Sequence, residues 1–314
     1  MIAFVFPGQG SQKIGMGSAL AAAFPAARET FVEADAALGE PLSTLIWNGP
    51  EDALILTENT QPAILTVSIA AYRVLESAGL SSGVSYMAGH SLGEYSAHVA
   101  SGTFSFPDAL RLVRRRGRYM QEAVPPGAGA MAAILGVDED KVAQACREAA
   151  LGEVVAPANM NGPGQTVIAG AKAAVDRAGA RAKELGARRV VPLPVSAPFH
   201  CALMQPAADR LAPELRALPI GTPAVPVVAN VDASPKRDAL SAIDALVRQV
   251  SAAVRWEESV RCLASNSVTA YVEVGPGTVL SGLIRKIQPD ASVVSFAAPE
   301  DLDAVRALVE KHGC

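Results

Sequence analysis

Short apolar runs closed by Gly or Pro alternate along the chain with longer Ala-rich segments whose apolar residues recur every three to four positions. That alternation predicts an α/β protein built on a largely parallel sheet. "IAFVF" (2 to 6) is a first buried strand. "QPAILTVSIAAYRVLESAG" (61 to 79) sets Ile64, Val67, Ala71, Val74 and Leu75 along one face and stops at Gly79, so it predicts a helix. "VSYMAG" (84 to 89) then reads as a strand and "LGEYSAHVASG" (92 to 102) as a helix.

"FPDALRLVRRRGRYMQEAV" (106 to 124) predicts a further helix, ended by the break "PPGAG" (125 to 129), after which the texture changes. "AMAAILG" (130 to 136) is a strand and "DEDKVAQACREAA" (138 to 150) a helix opened by acidic residues. "EVVAPANM" (153 to 160) and "QTVIAG" (165 to 170) are strands around the turn "NGPG", followed by a helix (171 to 186) and the strand "RRVVPLP" (188 to 194). The order β-α-β-β-α-β predicts a ferredoxin-like unit over 126–195, inserted into a larger discontinuous domain of 1–125 and 196–314. "AVPVVAN" (224 to 230) and "VTAYVEVGPG" (268 to 277) are strand candidates of that larger domain, and no internal repeat is evident.

Composition narrows the function classes. With 314 residues, 50% of them hydrophobic, the chain can bury a sizeable core without disulfides or structural metal. Lys+Arg 27 against Asp+Glu 31 gives a net charge of −4, which argues against a nucleic-acid partner. Cys146, Cys201, Cys262 and Cys314 are widely and irregularly spaced, so neither a zinc site nor a disulfide framework is expected, and a reducing cytoplasm fits best. The opening apolar run lacks a basic n-region, and no apolar stretch approaches membrane-spanning length, so a protein without a membrane association is expected.

The candidate chemistry lies in "GHSLG", where Gly89, Ser91 and Gly93 have the spacing G-x-S-x-G at a predicted strand-to-helix turn. That setting thrusts a serine Oγ out of the backbone and leaves the N–H of Leu92 where an oxyanion would sit. The competing reading is an ordinary tight turn. A serine nucleophile needs a base, and the chain offers His90, His98, His200 and His312. His312 lies near the end and reads as solvated, His98 is about two turns along the helix, and His90 points to the opposite side from its neighbour. His200, in "VSAPFHCALM" (195 to 204), is left, against the alternative of a buried, hydrogen-bonded core histidine.

"FPGQGSQ" (6 to 12), "GHSLGEYSA" (89 to 97), "RRRGRYMQEA" (114 to 123), "ANMNGPGQTVIAG" (158 to 170), "VSAPFHCALM" and "EVGPG" (273 to 277) stand in the order and spacing of the malonyl-CoA:acyl carrier protein transacylases. The resemblance covers essentially the whole chain. It implies an α/β-hydrolase-like large domain with a ferredoxin-like insert, and an acyltransferase that works through an acyl-serine. Position by position it implies Ser91 as nucleophile, His200 as general base, and Gln9 and Leu92 as the backbone donors to the oxyanion. It implies Gln249, in "LVRQVS", as the backbone carbonyl that orients the histidine, and Arg116 as the grip on the malonyl carboxylate. Gln61 and Asn159 resemble positions near the acyl pocket. For Arg114, Arg115 and Arg118 a solvated basic helix face is the preferred reading.

Phe199 departs from the serine that some bacterial members carry before the histidine, and "PFH" suggests a pocket that crowds an α-methyl branch. It opens a second pathway, a free-standing acyltransferase of polyketide synthesis beside one of fatty acid synthesis. The resemblance further implies malonyl-CoA as substrate and an acidic acyl carrier protein as partner; the expected mechanism needs no metal or other cofactor, and a monomer is expected. Arg188, Arg189, Arg285 and Lys286 are candidates for a basic rim that meets the carrier. The alternatives are an acyl-thioester hydrolase using the same serine, and a docking domain without chemistry.

Overall fold

A computed structural model describes residues 1–195 and 197–313; Ser196 and Cys314 lie outside the described residues. In chain order the strands are β1 (Ile2–Phe6), β2 (Val84–Gly89), β3 (Gly129–Leu135), β4 (Val155–Gly162), β5 (Gln165–Ala171), β6 (Arg189–Pro192), β7 (Val227–Val228), β8 (Pro235–Lys236), β9 (Ala270–Val274) and β10 (Ser292–Phe296). They form a six-stranded sheet ordered β10-β9-β1-β2-β7-β8 and a four-stranded sheet ordered β4-β5-β3-β6. The large sheet is parallel except for the β7–β8 pair.

All five residues of β1 are buried because helices cover both faces of the large sheet. Side-chain alternation divides the strand between two cores: Ile2, Phe4 and Phe6 enter one, while Ala3 and Val5 enter the other. The first core is capped by α1 (Ser18–Ala23), α2 (Pro25–Leu38), α3 (Leu42–Asn48), α4 (Glu51–Leu54), α5 (Thr57–Ser77), α6 (Leu92–Ala100) and α7 (Phe106–Glu122).

The small sheet is antiparallel throughout. Numbered within its own segment, its strand order is 4-1-3-2, with α8 (Glu139–Ala149) and α9 (Lys172–Glu184) as the two crossovers. Ala132, Ile134 and Ile168 face those helices and close a third core with Val142, Ala145, Ala174 and Ala178. Met131, Val167 and Ala169 face the other way and join the first core of the large sheet. The two layers also share backbone bonds: Met160 N–H donates to Val254 O (2.9 Å) and Val254 N–H donates to Ala158 O (2.9 Å).

The rest of the chain returns to the large sheet through α10 (Gln205–Ala217), α11 (Ala239–Gln249), α12 (Trp256–Ser265), α13 (Val279–Ile287) and α14 (Leu302–His312). Trp256, Val260, Leu263, Leu280 and Ile284 supply the second core.

Several expectations need correction. The helix expected from 61 begins at Thr57, so Pro62 lies inside it. Every residue of α5 from Thr60 to Ala71 is buried, so the helix is enclosed on all sides rather than amphipathic. The strand expected over 224–230 shrinks to Val227–Val228, the one over 268–277 ends at Val274, and the edge strand β10 has no counterpart in the sequence reading. His312 is half-buried, and its Nε2 lies 3.1 Å from Ser292 Oγ.

Helices α5 and α7 meet where Gly117 removes any side chain, since a Cβ there would lie 2.6 Å from Thr57 O and 2.7 Å from Glu58 Cα. Ala in place of Gly ordinarily favours a helix by about 1 kcal/mol. At Gly117 that gain is opposed by a backbone clash, and overpacking of this kind costs about 1 to 3 kcal/mol. We expect Gly117→Ala to lower the urea midpoint; an unchanged or raised midpoint would show that α7 has room to move away from α5.

Candidate active site

Ser91 sits between β2 and α6 with φ 52° and ψ −104°, in the half of backbone space that non-glycine residues avoid. Its flanking glycines make the turn possible. A Cβ on Gly89 would lie 1.9 Å from the Gly93 carbonyl carbon, and one on Gly93 would lie 2.0 Å from Phe6 O. Helix α6 therefore starts directly against β1. The strained serine is tied down by its N–H, which donates to Asn230 Oδ1 (2.7 Å), while the preceding His90 N–H donates to Phe6 O (3.0 Å). Leu92 opens α6, so its N–H belongs to the first turn, where no intrahelical acceptor exists.

His200 also has a positive φ, 60°, and its Nε2 lies 2.7 Å from Ser91 Oγ. Its Nδ1 lies 3.0 Å from the backbone carbonyl of Gln249, which is an acceptor only. Nδ1 therefore carries the proton and donates it, which leaves the Nε2 lone pair facing the serine hydroxyl. Burial, and after it the positive charge of Arg116, pushes the imidazole down to about 3. The ring is neutral at physiological pH.

Arg116 is 1% exposed. One nitrogen donates to Gln61 Oε1 (2.7 Å); the other donates to Gln249 Oε1 (2.9 Å) and Ser91 Oγ (3.2 Å). Its guanidinium carbon stands 5.1 Å from the ring centre of Tyr95. The other arginines of the run point elsewhere on the helix: Arg114 pairs with Glu40 and Asn59, Arg115 with Glu214 (2.7 Å), and Arg118 with Glu58 (3.2 Å). A 3.6-residue period turns Arg116 inward and leaves Arg115 and Arg118 facing outward, whereas Arg114 is half-buried against Asn59 and Glu40, so the solvated reading does not hold for it.

Ser91, His200 and Arg116 open into a cavity of about 440 Å³ between the two sheets. Gln9, Gln61, Leu92, Asn159 and Phe199 also line it, and Met131, Leu193 and Val195 give it an apolar wall. Gln9 is exposed, with its side-chain amide donating to Thr57 Oγ1 (3.3 Å). Gln249 contributes in two ways, through its carbonyl to His200 and through its side chain to Arg116.

The remaining histidines have other partners. His90 is half-buried beside Trp256 with Nε2 2.8 Å from Asn161 Oδ1, and His98 is buried with Nδ1 3.1 Å from Thr103 Oγ1. Arg188, Arg189, Arg285 and Lys286 are exposed, but none lines the cavity, and Arg285 donates to Val293 O (2.8 Å). Among the described residues no group of three or more His, Cys, Asp or Glu could hold a metal ion, and no helix is long and apolar enough to cross a membrane.

Two residues of the site escaped the sequence reading. Asn230, at the end of "VVAN", holds the Ser91 N–H, and its own side-chain amide donates to Gly89 O (2.7 Å). Glu94, inside "GHSLGEYS", accepts from the Asn230 N–H (2.9 Å) and from Gln249 Nε2 (2.8 Å). The available signal was a glutamate three residues after the serine, on the inward face of a helix otherwise buried.

Residues 3–305 match the family described as acyl transferase domain. The malonyl CoA-acyl carrier protein transacylase of Escherichia coli K12 is 52% identical over 306 residues, 98% of this chain and 99% of that protein. The enzyme of the same name from Bacillus subtilis is 46% identical over 99% of this chain and 98% of that protein. Among solved structures, an acyl carrier protein S-malonyltransferase from Vibrio cholerae superposes with TM-score 0.95 at 48% identity, covering 97% of this chain and 99% of that one. A malonyl-transacylase in complex with its type II polyketide synthase acyl-carrier protein gives TM-score 0.95 at 48% identity, covering 97% and 98%.

The depressed imidazoles have a pH signature. His98 is also pushed down to about 3, by burial. Each of these histidines contributes stability that is complete above its unfolded value of 6.5 and is lost as the pH falls toward the folded value. Ring signals of His200 and His98 in NMR titrations should stay in the neutral position across the range of about pH 5 to 8 in which an ordinary histidine titrates. A His200 midpoint near 6.5 would contradict the burial argument.

Proposed function

The chain belongs to the acyl transferase domain family, and from that premise we propose that it moves a malonyl group from malonyl-CoA to the phosphopantetheine thiol of an acyl carrier protein. The observation that carries this reading is a buried guanidinium within hydrogen-bond reach of a serine hydroxyl at the mouth of a cavity with one apolar wall. A planar guanidinium binds a carboxylate through two parallel hydrogen bonds. The acyl group that suits this site therefore has a negative tail on one end and a thioester on the other.

In the first half-reaction His200 Nε2 takes the Ser91 proton as Oγ attacks the thioester carbon. The oxyanion that forms is held by the N–H groups of Leu92 and Gln9, and one such donor is worth about 3 kcal/mol in the transition state. Collapse expels the coenzyme A thiolate, which receives the proton from His200. In the second half the carrier thiol gives its proton to His200 and attacks the Ser91 ester, and Ser91 recovers the proton on leaving. The Gln249 carbonyl fixes the tautomer that both halves require, without placing a negative charge beside the malonyl tail.

Phe199, Gln61 and Asn159 complete the pocket, with Phe199 crowding any branch on the malonyl methylene. Residues 126–195 act as an inserted ferredoxin-like subdomain that walls the cleft against the domain of 1–125 and 196–314. The exposed Arg188, Arg189, Arg285 and Lys286 are the surface assigned to an acidic carrier. The carrier serves fatty acid synthesis or, for a free-standing acyltransferase, polyketide synthesis.

Intact-mass measurement after exposure to malonyl-CoA should detect one malonyl adduct on the native protein and none on Ser91→Ala; an adduct retained by that variant would remove the serine from the mechanism. Thiol release should be slow without carrier protein and rapid with it, whereas rapid release in both cases would favour the hydrolase. Arg116→Ala should cost malonyl transfer about 3 to 5 kcal/mol, the penalty for breaking a buried ionic contact. That corresponds to a loss of roughly 10²-fold or more. Acetyl transfer should be affected far less, and equal losses for the two acyl groups would refute the carboxylate grip.

A further inference from the structure

Glu94 has 0% exposure and forms no ion pair among the described residues. One of its oxygens accepts from two neutral donors, the Asn230 N–H and Gln249 Nε2, while the other has no partner among the described residues. A buried carboxylate so sparsely satisfied is costly in its charged form unless a positive charge lies nearby. Its network reaches one. The same Gln249 amide that donates through Nε2 to Glu94 accepts through Oε1 from Arg116.

The amide therefore has a fixed sense. Glu94 in its charged form can only accept, so it holds the nitrogen end of Gln249 toward itself and presents the oxygen end to the guanidinium. A carboxylate, an amide and a guanidinium are thus lined up in the buried wall beside Ser91, with the two charges of opposite sign at the ends.

We propose that Glu94 is the resident counter-charge of Arg116, and that when a malonyl carboxylate binds the guanidinium, Glu94 accepts one proton from the buffer. The inference rests on the carboxylate grip assigned to Arg116 above. Its logic is electrostatic. Arrival of the substrate carboxylate cancels the field of Arg116 at Glu94 and adds a second negative charge to a wall already poor in donors. Taking up a proton restores the charge balance of the empty site: the buffer acid's bond to its proton breaks, the carboxyl O–H forms, and the buffer base is released.

The surroundings of Glu94 support a group poised near neutrality. Helix α6 packs against β1, β2, β7, α5 and α7. Arg116 comes from α7, Asp232 follows β7, and Tyr95 is on the same helix. Asp232 is already paired with Lys236 (2.8 Å) and Arg248 (3.0 Å). Strand β1 bears no titratable side chain, Tyr86 of β2 donates to Asn266, and the charged residues of α5 pair elsewhere: Glu58 with Arg118, Arg73 with Glu33, and Glu76 with Tyr72. Burial dominates and raises the Glu94 carboxyl to about 7, against the pull of its two donors and, more weakly, of Arg116. His200, whose Nε2 lies 2.7 Å from Ser91 Oγ, is the group beside the serine whose protonation the test must separate from that of Glu94.

Calorimetry on Ser91→Ala, which binds without turnover, tests the idea in two buffers of different ionisation enthalpy. Malonyl-CoA binding above pH 7 should draw protons from the buffer, and its affinity should fall by up to about tenfold per pH unit as Glu94 becomes ionised in the free protein. Acetyl-CoA should draw none. In Ser91→Ala/Glu94→Gln the uptake should vanish and the malonyl affinity should become independent of pH. Uptake that persists there would move the proton to His200 and overturn the proposal. Malonyl-selective binding without uptake would overturn it while leaving the Arg116 grip intact; loss of selectivity for malonyl over acetyl would sink both. Should Glu94→Gln fail to fold, infrared difference spectra of Ser91→Ala carrying ¹³C-glutamate decide the matter. A protonated-carboxyl band induced by malonyl-CoA and not by acetyl-CoA is expected, and its absence refutes the proposal.

Discussion

Arg116 carries a permanent positive charge almost out of reach of water, and the side chains around it are those that such a charge tolerates. It is met by amide oxygens from Gln61 and Gln249, by a hydroxyl from Ser91 and by the face of Tyr95. Among the described residues no carboxylate touches it directly, so its capacity to bind one is not already consumed. The same field reaches His200 and, together with burial, keeps the imidazole neutral. It also makes an uncharged carbonyl a sufficient partner for Nδ1: the histidine needs its tautomer fixed more than it needs a second negative charge in the wall.

Gln249 is the joint through which these demands meet. Its backbone oxygen belongs to the histidine, its side-chain oxygen to the arginine, and its side-chain nitrogen to Glu94 and the Ser91 carbonyl (2.9 Å). It ends α11, whose N-cap Asp238 accepts from the Ser241 N–H, so an ordinary amphipathic helix brings an unusually committed residue to the cleft. Asn230 performs the corresponding service for the elbow, where a strained serine backbone requires a fixed partner.

Much of the fold was legible in the chain, and for physical reasons. Strands β1 and β2 agree with the sequence reading to the residue because each is a short, mostly apolar run with abrupt Gly or Pro punctuation. The turn around Ser91 was legible because its two glycines are compelled by contacts under 2.1 Å to any Cβ. Helix α5 was legible from its apolar face, but its start was set four residues late and its burial on every side from Thr60 to Ala71 goes beyond the single face that the period displays. Strand β10 escaped because its residues are half-buried at a sheet edge and follow no clear alternation. Arg116 could be told from its neighbours only by resemblance, since composition treats four nearby arginines alike and the register of α7 decides which turns inward. Glu94 and Asn230 stayed hidden because their partners are mostly backbone groups and other polar side chains distant in sequence, and no local pattern records such bonds.

The backbone link between Val254 and β4 has a mechanical meaning for the cleft. Val254 lies a few residues beyond Gln249, so the strand that carries Asn159 and the carbonyl that holds His200 are parts of one stitched wall. The small sheet cannot swing outward without tearing main-chain hydrogen bonds and displacing the imidazole from the serine. If Ser91 accepts the acyl group as proposed, admission is a matter of reach, not of opening: cargo on a long, thin arm is threaded down to the hydroxyl, while a bulky body stays outside at the rim.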